Sequence, residues 1–271
     1  MHKKKIILFR ILTNGLSSQN FLGSFFLSFF IFLIPKKYKK KIALNVLSIS
    51  PHYFIYHNQN STSDLKREHQ RNIICREDIC NKLLKPHLNK NMNILDFGCG
   101  PGYLTMAASK HCKNILGIDI SSGTIACAKI LNLAKNCKYL SLTEKNQFYN
   151  KNKNIFDLIF SFAVFQHITN DAIKKNLKNF HKILKPDGTI ICHIAIDSAK
   201  NAFFINKKSQ KNIKDTLRKQ YKLNTYFRKK EDIIKLIQNS GFKIISIKLI
   251  KDIAKINDDI AEQHLFHFIK Q

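Results

Sequence analysis

From residue 92 to residue 249 the chain alternates short, continuously apolar runs with longer amphipathic ones. No other feature limits its architecture as strongly. Met92–Phe97, Asn114–Ile120, Tyr139–Leu142, Ile155–Phe162, Thr189–Ile196 and Phe242–Leu249 read as strands. Tyr103–Lys110, Ser122–Ala134, Asp171–Leu184 and Glu231–Ser240 read as helices. In the third helix Ile173, Leu177, Phe180 and Leu184 share one face, as they must if that face is buried. Strands that are apolar throughout are buried on both sides, which means a parallel sheet with helices on each face. A last strand, His264–Ile269, follows with no helix of proper length before it, so an antiparallel pair should lie at one edge. The expected fold is therefore α/β: a doubly wound, mostly parallel seven-stranded sheet with an antiparallel edge strand, preceded by an apolar, helical N-terminal extension.

In such a sheet a ligand sits beyond the carboxyl ends of the strands, where the strand order reverses. The stretch NILDFGCGPGYL, residues 93–104, places Gly98, Gly100 and Gly102 there, directly after the first parallel strand. The spacing is Gly-x-Gly-x-Gly. A dinucleotide loop would need a sixth-position glycine at 103, and Tyr103 stands there. The strand ends in Asp96, whose charge opposes a pyrophosphate and suits a cationic ligand. The second strand ends in Asp119, about 20 residues on, where a carboxylate can accept hydrogen bonds from both hydroxyls of a ribose. Glycine loop, ribose acid and cationic tail together specify S-adenosylmethionine rather than NAD.

Four motifs in order carry a resemblance. ILDFGCGPG, LGIDIS, FDLIFSFAVFQHI and ILKPDG, followed by GFKIISIK, are similar to the motifs of class I S-adenosylmethionine-dependent methyltransferases of the ubiquinone/menaquinone-biosynthesis type. The resemblance spans about Asn93 to Phe242 and implies a Rossmann-like fold. It also implies that Asp96, Gly98 and Gly100 line the methionine part of the cofactor, Asp119 holds the ribose and Ile120 packs on the adenine. Glu144 is the nearest match to the acid that holds the adenine amino group, with Thr143 and Asn146 as alternatives. Ser161, Phe162 and Ala163 should pass under the cofactor. Gly102 either joins the cofactor loop or permits close helix–strand packing. His167, after the fourth strand, is the candidate general base.

Other residues carry plainer readings. Asp157 either orients a loop or touches ligand. Cys99 reads as a small packing residue, and His264 and His267 as ordinary strand residues; no metal is expected. Seven cysteines without a CxxC pair indicate neither a zinc ribbon nor a disulfide framework, and fit a reduced, cytoplasmic compartment.

Residues 1–62 differ in character from the methyltransferase domain expected over 63–271. The run Phe21–Ile34 is dense in apolar residues but too short to cross a hydrocarbon core of about 30 Å. Ser17, Asn20, Ser24 and Ser28 would form a narrow polar seam on a helix, and PKKYKKK follows at once. An apolar helix beside a lysine cluster is the pattern of a segment lying on an anionic membrane. Residues 21–41 are thus expected to bring the protein to the inner face of a membrane. Burial against the domain and a true span stay open. A helix from about Ser63 to Leu84, ended by Pro86, should join this extension to the first strand.

The net charge of +28 favours anionic partners. The lysines are scattered, however, and an AT-rich coding sequence explains the same abundance of Lys, Asn and Ile. Nucleic acid is not the expected partner: no Asn/Asp-Pro-Pro-Tyr follows the fourth strand. The expected activity is methyl transfer to a small-molecule or lipid-like acceptor, the alternatives being an RNA methyltransferase and a non-catalytic cofactor-binding protein. The segment 197–230, rich in aromatic residues and lysine, is the expected acceptor lid.

Overall fold

The computed structural model describes residues 33–48, 62–142, 147–196, 226–256 and 263–271. Seven strands form one sheet: β1 (Asn93–Phe97), β2 (Asn114–Asp119), β3 (Cys137–Ser141), β4 (Phe156–Ser161), β5 (Leu184–Ile194), β6 (Phe242–Leu249) and β7 (His264–Lys270). Their spatial order is β3-β2-β1-β4-β5-β7-β6. β1 to β5 pair in parallel, while β7 runs antiparallel to both β5 and β6. The antiparallel pair does lie at one edge, but the reversed strand is the penultimate one, inserted between β5 and β6. The order reverses between β1 and β4, which opens a crevice at their carboxyl ends.

Side chains alternate across this sheet and build two cores. Ile94, Leu158, Phe160 and Ile191 face one side; Leu95, Ile159, Ile190 and Cys192 face the other. The first core is closed by α2 (Thr62–Ile79), α3 (Tyr103–Ser109) and α4 (Ser122–Leu131), through Ile79, Leu104, Ala108, Ile125 and Ala128. The second is closed by the short α5 (Phe148–Lys151), α6 (Asn170–Ile183) and α7 (Lys230–Gln238), through Phe148, Ile173, Leu177, Phe180, Ile233 and Ile237. A further short helix, α8 (Ile250–Ile253), leads from β6 toward β7. Two helices begin at capping hydroxyls: Ser121 accepts from the Thr124 amide and Thr169 from that of Ala172.

Two boundaries, both of the fifth strand, depart from the sequence reading. β5 starts at Leu184, not Thr189, because Leu184 already pairs with Phe156. Lys185–Gly188, read as a turn, is taken up by a register shift opposite Phe156–Leu158, with Asp187 at φ +59°. At its other end β5 stops at Ile194, and Ile196 makes an isolated bridge to Arg228. The helix from 62 tightens into a π turn over Cys80–Leu84 and a 3-10 turn over Lys85–His87, where Pro86 ends it.

Upstream, α1 (Lys36–Ser48) lies against α4 and buries Ala43, Leu44 and Leu47. Packing on the sheet domain therefore begins before residue 63. The apolar run before Leu33, including the Ser17/Asn20/Ser24/Ser28 seam, lies outside the described residues. Among the described residues no helix is long and apolar enough to cross a membrane.

Candidate active site

β1 ends in a loop that turns back over β2. The amides of Gly98 and Cys99 both donate to the Ile118 carbonyl, at 2.8 and 3.0 Å. Gly98 has φ +74°, and a Cβ there would lie 2.2 Å from Val164 Cγ2. Gly102, at φ +80°, leads into α3, and a Cβ there would meet the Tyr139 hydroxyl at 2.5 Å. These two positions need glycine both for the left-handed backbone and for the close neighbour. Gly102 is thus engaged in packing against β3.

The Asp119 carboxylate is held at the tip of β2 by two backbone amides. Gly100 donates to Oδ2 at 3.0 Å and Ser121 to Oδ1 at 2.8 Å. Burial raises its pKa, and these amides oppose the rise. Each oxygen retains acceptor capacity for a further donor. Next to it, Ile120 leaves 67% of its surface exposed. Asp96 lies beneath the loop rather than on it. It is 2% exposed and accepts from Thr105 Oγ1 at 2.6 Å. Burial pushes its pKa from 3.8 to about 7, against the Thr105 bond; the Asp119 charge adds to the rise and Arg76 opposes it.

Across the crevice, Ser161 ends β4 and ties it to β1 by donating to the Phe97 carbonyl at 2.9 Å. Phe162 is buried, and Ala163 follows with φ +60°. The chain then forms a 3-10 turn, Phe165–His167. His167 is half-buried, with Nε2 3.1 Å from Gln166 Nε2. If that amide donates, the ring holds its lone pair at Nε2 and its proton at Nδ1. Gln166 is itself buried, and its Oε1 has no hydrogen-bond partner among the described residues.

Arg228 fastens this turn. Its guanidinium donates to Asn170 Oδ1 at 2.5 Å, to the carbonyls of Phe165 and Tyr226 at 3.0 and 3.2 Å, and to the Ile168 carbonyl. The Tyr226 amide donates to the Gln166 carbonyl at 2.7 Å. The segment after β5, whose residues 197–225 lie outside the described residues, therefore leaves and returns beside His167.

The fold gathers Gly98, Gly100, Asp119, Ile120, Ser161 and Phe162 at one end of the sheet, with Asp96 below the loop and His167 on the β4 side. Glu144, Thr143 and Asn146 lie outside the described residues. Asp157 is at the opposite end of β4, where it accepts from the Asn93 amide at 2.8 Å and from Lys185 Nζ at 2.7 Å. It orients strand starts and is remote from the crevice. Cys99 is buried, and burial holds its thiol well above the ordinary range. His264 and His267 lie in β7, the latter edge-on to His87. Among the described residues no group of three or more His, Cys, Asp or Glu could hold a metal.

Sequence reasoning missed Thr105, Gln166, Arg228 and His193. The last was the most legible: a histidine inside the apolar run IICHI demands a buried partner. Arg228 carried no such signal, since it ends a lysine-rich segment and looks like one more surface cation.

The residues present suit a hydroxylated, cationic ligand. A backbone-held acid with spare acceptor capacity faces the crevice, an apolar side chain stands beside it, and a second carboxylate lies under the loop. Both acids oppose a pyrophosphate.

A family model described as a methyltransferase domain matches residues 67–247. A ribosomal-protein methyltransferase of Thermosipho africanus is 33% identical over 118 residues, 43% of each chain. The chain thus spans less than half the length of that relative. A ubiquinone biosynthesis O-methyltransferase of Rickettsia bellii is 25% identical over 197 residues, covering 69% of this chain and 80% of its own. Among solved structures, a SAM-dependent methyltransferase from Anabaena variabilis superposes with a TM-score of 0.57 at 17% identity, over 75% of this chain and 92% of its own. That likeness concerns the fold. The family match runs from α2 through the crevice to β6, and on it the chain belongs to the methyltransferase-domain family.

Proposed function

We propose that this methyltransferase uses S-adenosylmethionine to methylate a small-molecule or lipid-like acceptor admitted on the β4–β5 side of the crevice. The observation that carries the reading is the Asp119 carboxylate, oriented by the Gly100 and Ser121 amides with acceptor capacity to spare. Asp119 would hold the ribose hydroxyls and Ile120 the adenine face. Gly98 and Gly100 allow the backbone to approach the amino-acid end, and Asp96 supplies negative charge beneath it. When bound, S-adenosylmethionine supplies an electrophilic methyl group that an acceptor atom takes as the carbon–sulfur bond breaks in line.

The remaining work falls to the turn after β4. His167 Nε2 lies 3.1 Å from the Gln166 side-chain amide nitrogen. An acceptor hydroxyl that replaces the amide would give its proton to that nitrogen. The relative named for ubiquinone biosynthesis, covered over 80% of its length, supports a small acceptor.

The second part of the proposal concerns location. α1 presents Lys36, Lys37, Tyr38, Lys40 and Lys41 to solvent, with exposed Leu33 just before it, while Ala43, Leu44 and Leu47 pin it to α4. Exposed cations interleaved with apolar groups suit an anionic lipid surface at the inner face of a membrane. Flotation with vesicles containing phosphatidylserine should capture the full chain at low salt, and removal of residues 1–41 should abolish capture. Equal capture by neutral vesicles, or by the truncated chain, would remove this part.

The activity itself is tested by incubating the protein and methyl-labelled S-adenosylmethionine with fractionated cell extract. Label is expected in a small-molecule or lipid fraction. Label confined to RNA or protein would overturn the acceptor class.

A further inference from the structure

We propose that His193 is the residue that sets the wall of the donor cleft, by holding Ala163 in the left-handed conformation that lays Val164 across Gly98. Its side chain is wholly buried in β5 and distant in sequence from every residue expected to touch ligand.

Ala163 has φ +60°, a region that L side chains adopt at a cost and that needs outside support. The support is a directed pair of hydrogen bonds. The Ala163 amide donates to His193 Nδ1 at 3.0 Å, so the ring carries its proton on Nε2, and that nitrogen donates to Gln263 Oε1. The ring is further fixed by stacking on Phe162, with centroids 6.3 Å apart and planes 19° from parallel. Gln263 is anchored in turn, because its carbonyl accepts from the Ile250 amide at 2.9 Å. The far end of this relay is Val164, whose Cγ2 lies 2.2 Å from where a Cβ on residue 98 would stand. A continuous path therefore runs from the start of β7 through β5 and the end of β4 to the glycine loop on β1. Shifting Ala163 out of the left-handed region would swing Val164 off Gly98 and change the shape of the cleft. His193 acts only through Ala163, so it is a positioning residue. The inference rests on the reading of the glycine loop as the donor's seat.

The test measures affinity for S-adenosylmethionine and S-adenosylhomocysteine by calorimetry on the full chain, with melting curves alongside. His193→Leu should weaken both ligands about tenfold, the loss of one buried hydrogen bond. Adding Ala163→Gly should restore affinity to within about threefold, because glycine holds positive φ unaided. A variant whose melting point falls while its affinity stays level, or whose lost affinity Ala163→Gly does not restore, overturns the proposal. If His193→Leu does not fold, Gln263→Leu cuts the outer link instead; a loss of affinity restored by Ala163→Gly supports the relay and an unchanged affinity defeats it. Asp119→Ala separates the two readings. Unchanged binding there would sink the donor seat itself, independently of how residues 163 and 193 couple.

Discussion

The two walls of the crevice are built in opposite ways. On the β1–β2 side the parts are close in sequence: residues 98–102 and Asp119 meet through backbone amides, and Ser121 supplies the second bond while starting α4. On the β4–β5 side the parts are far apart. Ala163 depends on His193 and Gln263, and the turn at 165–168 depends on Arg228. The first wall is a local backbone design that any chain with the same short motifs could reproduce. The second is assembled from long-range side-chain contacts: its turn, held by Arg228, is the side on which the acceptor is proposed to enter, and its Ala163 and Val164 are where it meets the glycine loop of the first wall.

That contrast can be broken most severely at Asp119. Asp119→Ala leaves the Gly100 and Ser121 amides without their acceptor and removes the proposed ribose partner. Donor affinity should fall about a hundredfold, reflecting two charge-assisted hydrogen bonds, as read by calorimetry. A loss below about threefold would mean that the two walls do not divide the work as argued.

Arg228→Gln probes the other wall. The carbonyls of Phe165 and Ile168 lose their donor, at a cost of about 1–3 kcal/mol in stability. The acceptor KM should rise while donor affinity stays within about twofold. An equal loss of donor and acceptor binding would merge the two walls into one unit.

A third test concerns pH. Folding raises the Asp96 pKa from 3.8 to about 7, so the folded chain binds this proton more tightly than the unfolded one. The sign is therefore that of a raised acid: unliganded stability falls as pH rises from about 4 and levels off above about 7. A cationic ligand favours the ionised carboxylate, so donor affinity should climb through about pH 7. Asp96→Asn should flatten both profiles. A pH profile that survives the substitution would assign the titration elsewhere.

The alternation of strands and helices fixed the sheet in advance, because apolar period and glycine punctuation are local properties. The positions of Gly98, Gly100 and Asp119 at the ends of β1 and β2 were legible for the same reason. Asp96 was read as the end of β1, but Phe97 ends that strand, and the depth of Asp96 depends on Thr105 folding over it from α3, which no local pattern reports. β7 was legible as a strand but not as the one inserted before the edge, since strand order depends on pairings across the whole sheet. The start of β5 was missed because Pro186 and Gly188 signal a turn, while pairing of Leu184 with Phe156 overrides them. His167 and Ser161 could be placed from the motif around β4. The grip of Arg228 on that motif crosses about sixty residues and leaves no periodic trace.

The bridge between Ile196 and Arg228 has a consequence for how such a protein can change. It pins residues 196 and 228 to each other at a point already secured to the scaffold, so the covalent connection between them is a ring closed at that clasp. Lengthening a ring whose ends are pinned costs little, since closure entropy grows only with the logarithm of its length. Insertions or trims between residues 197 and 225 should therefore leave the crevice wall that carries Asp119 undisturbed, with donor affinity unchanged by calorimetry.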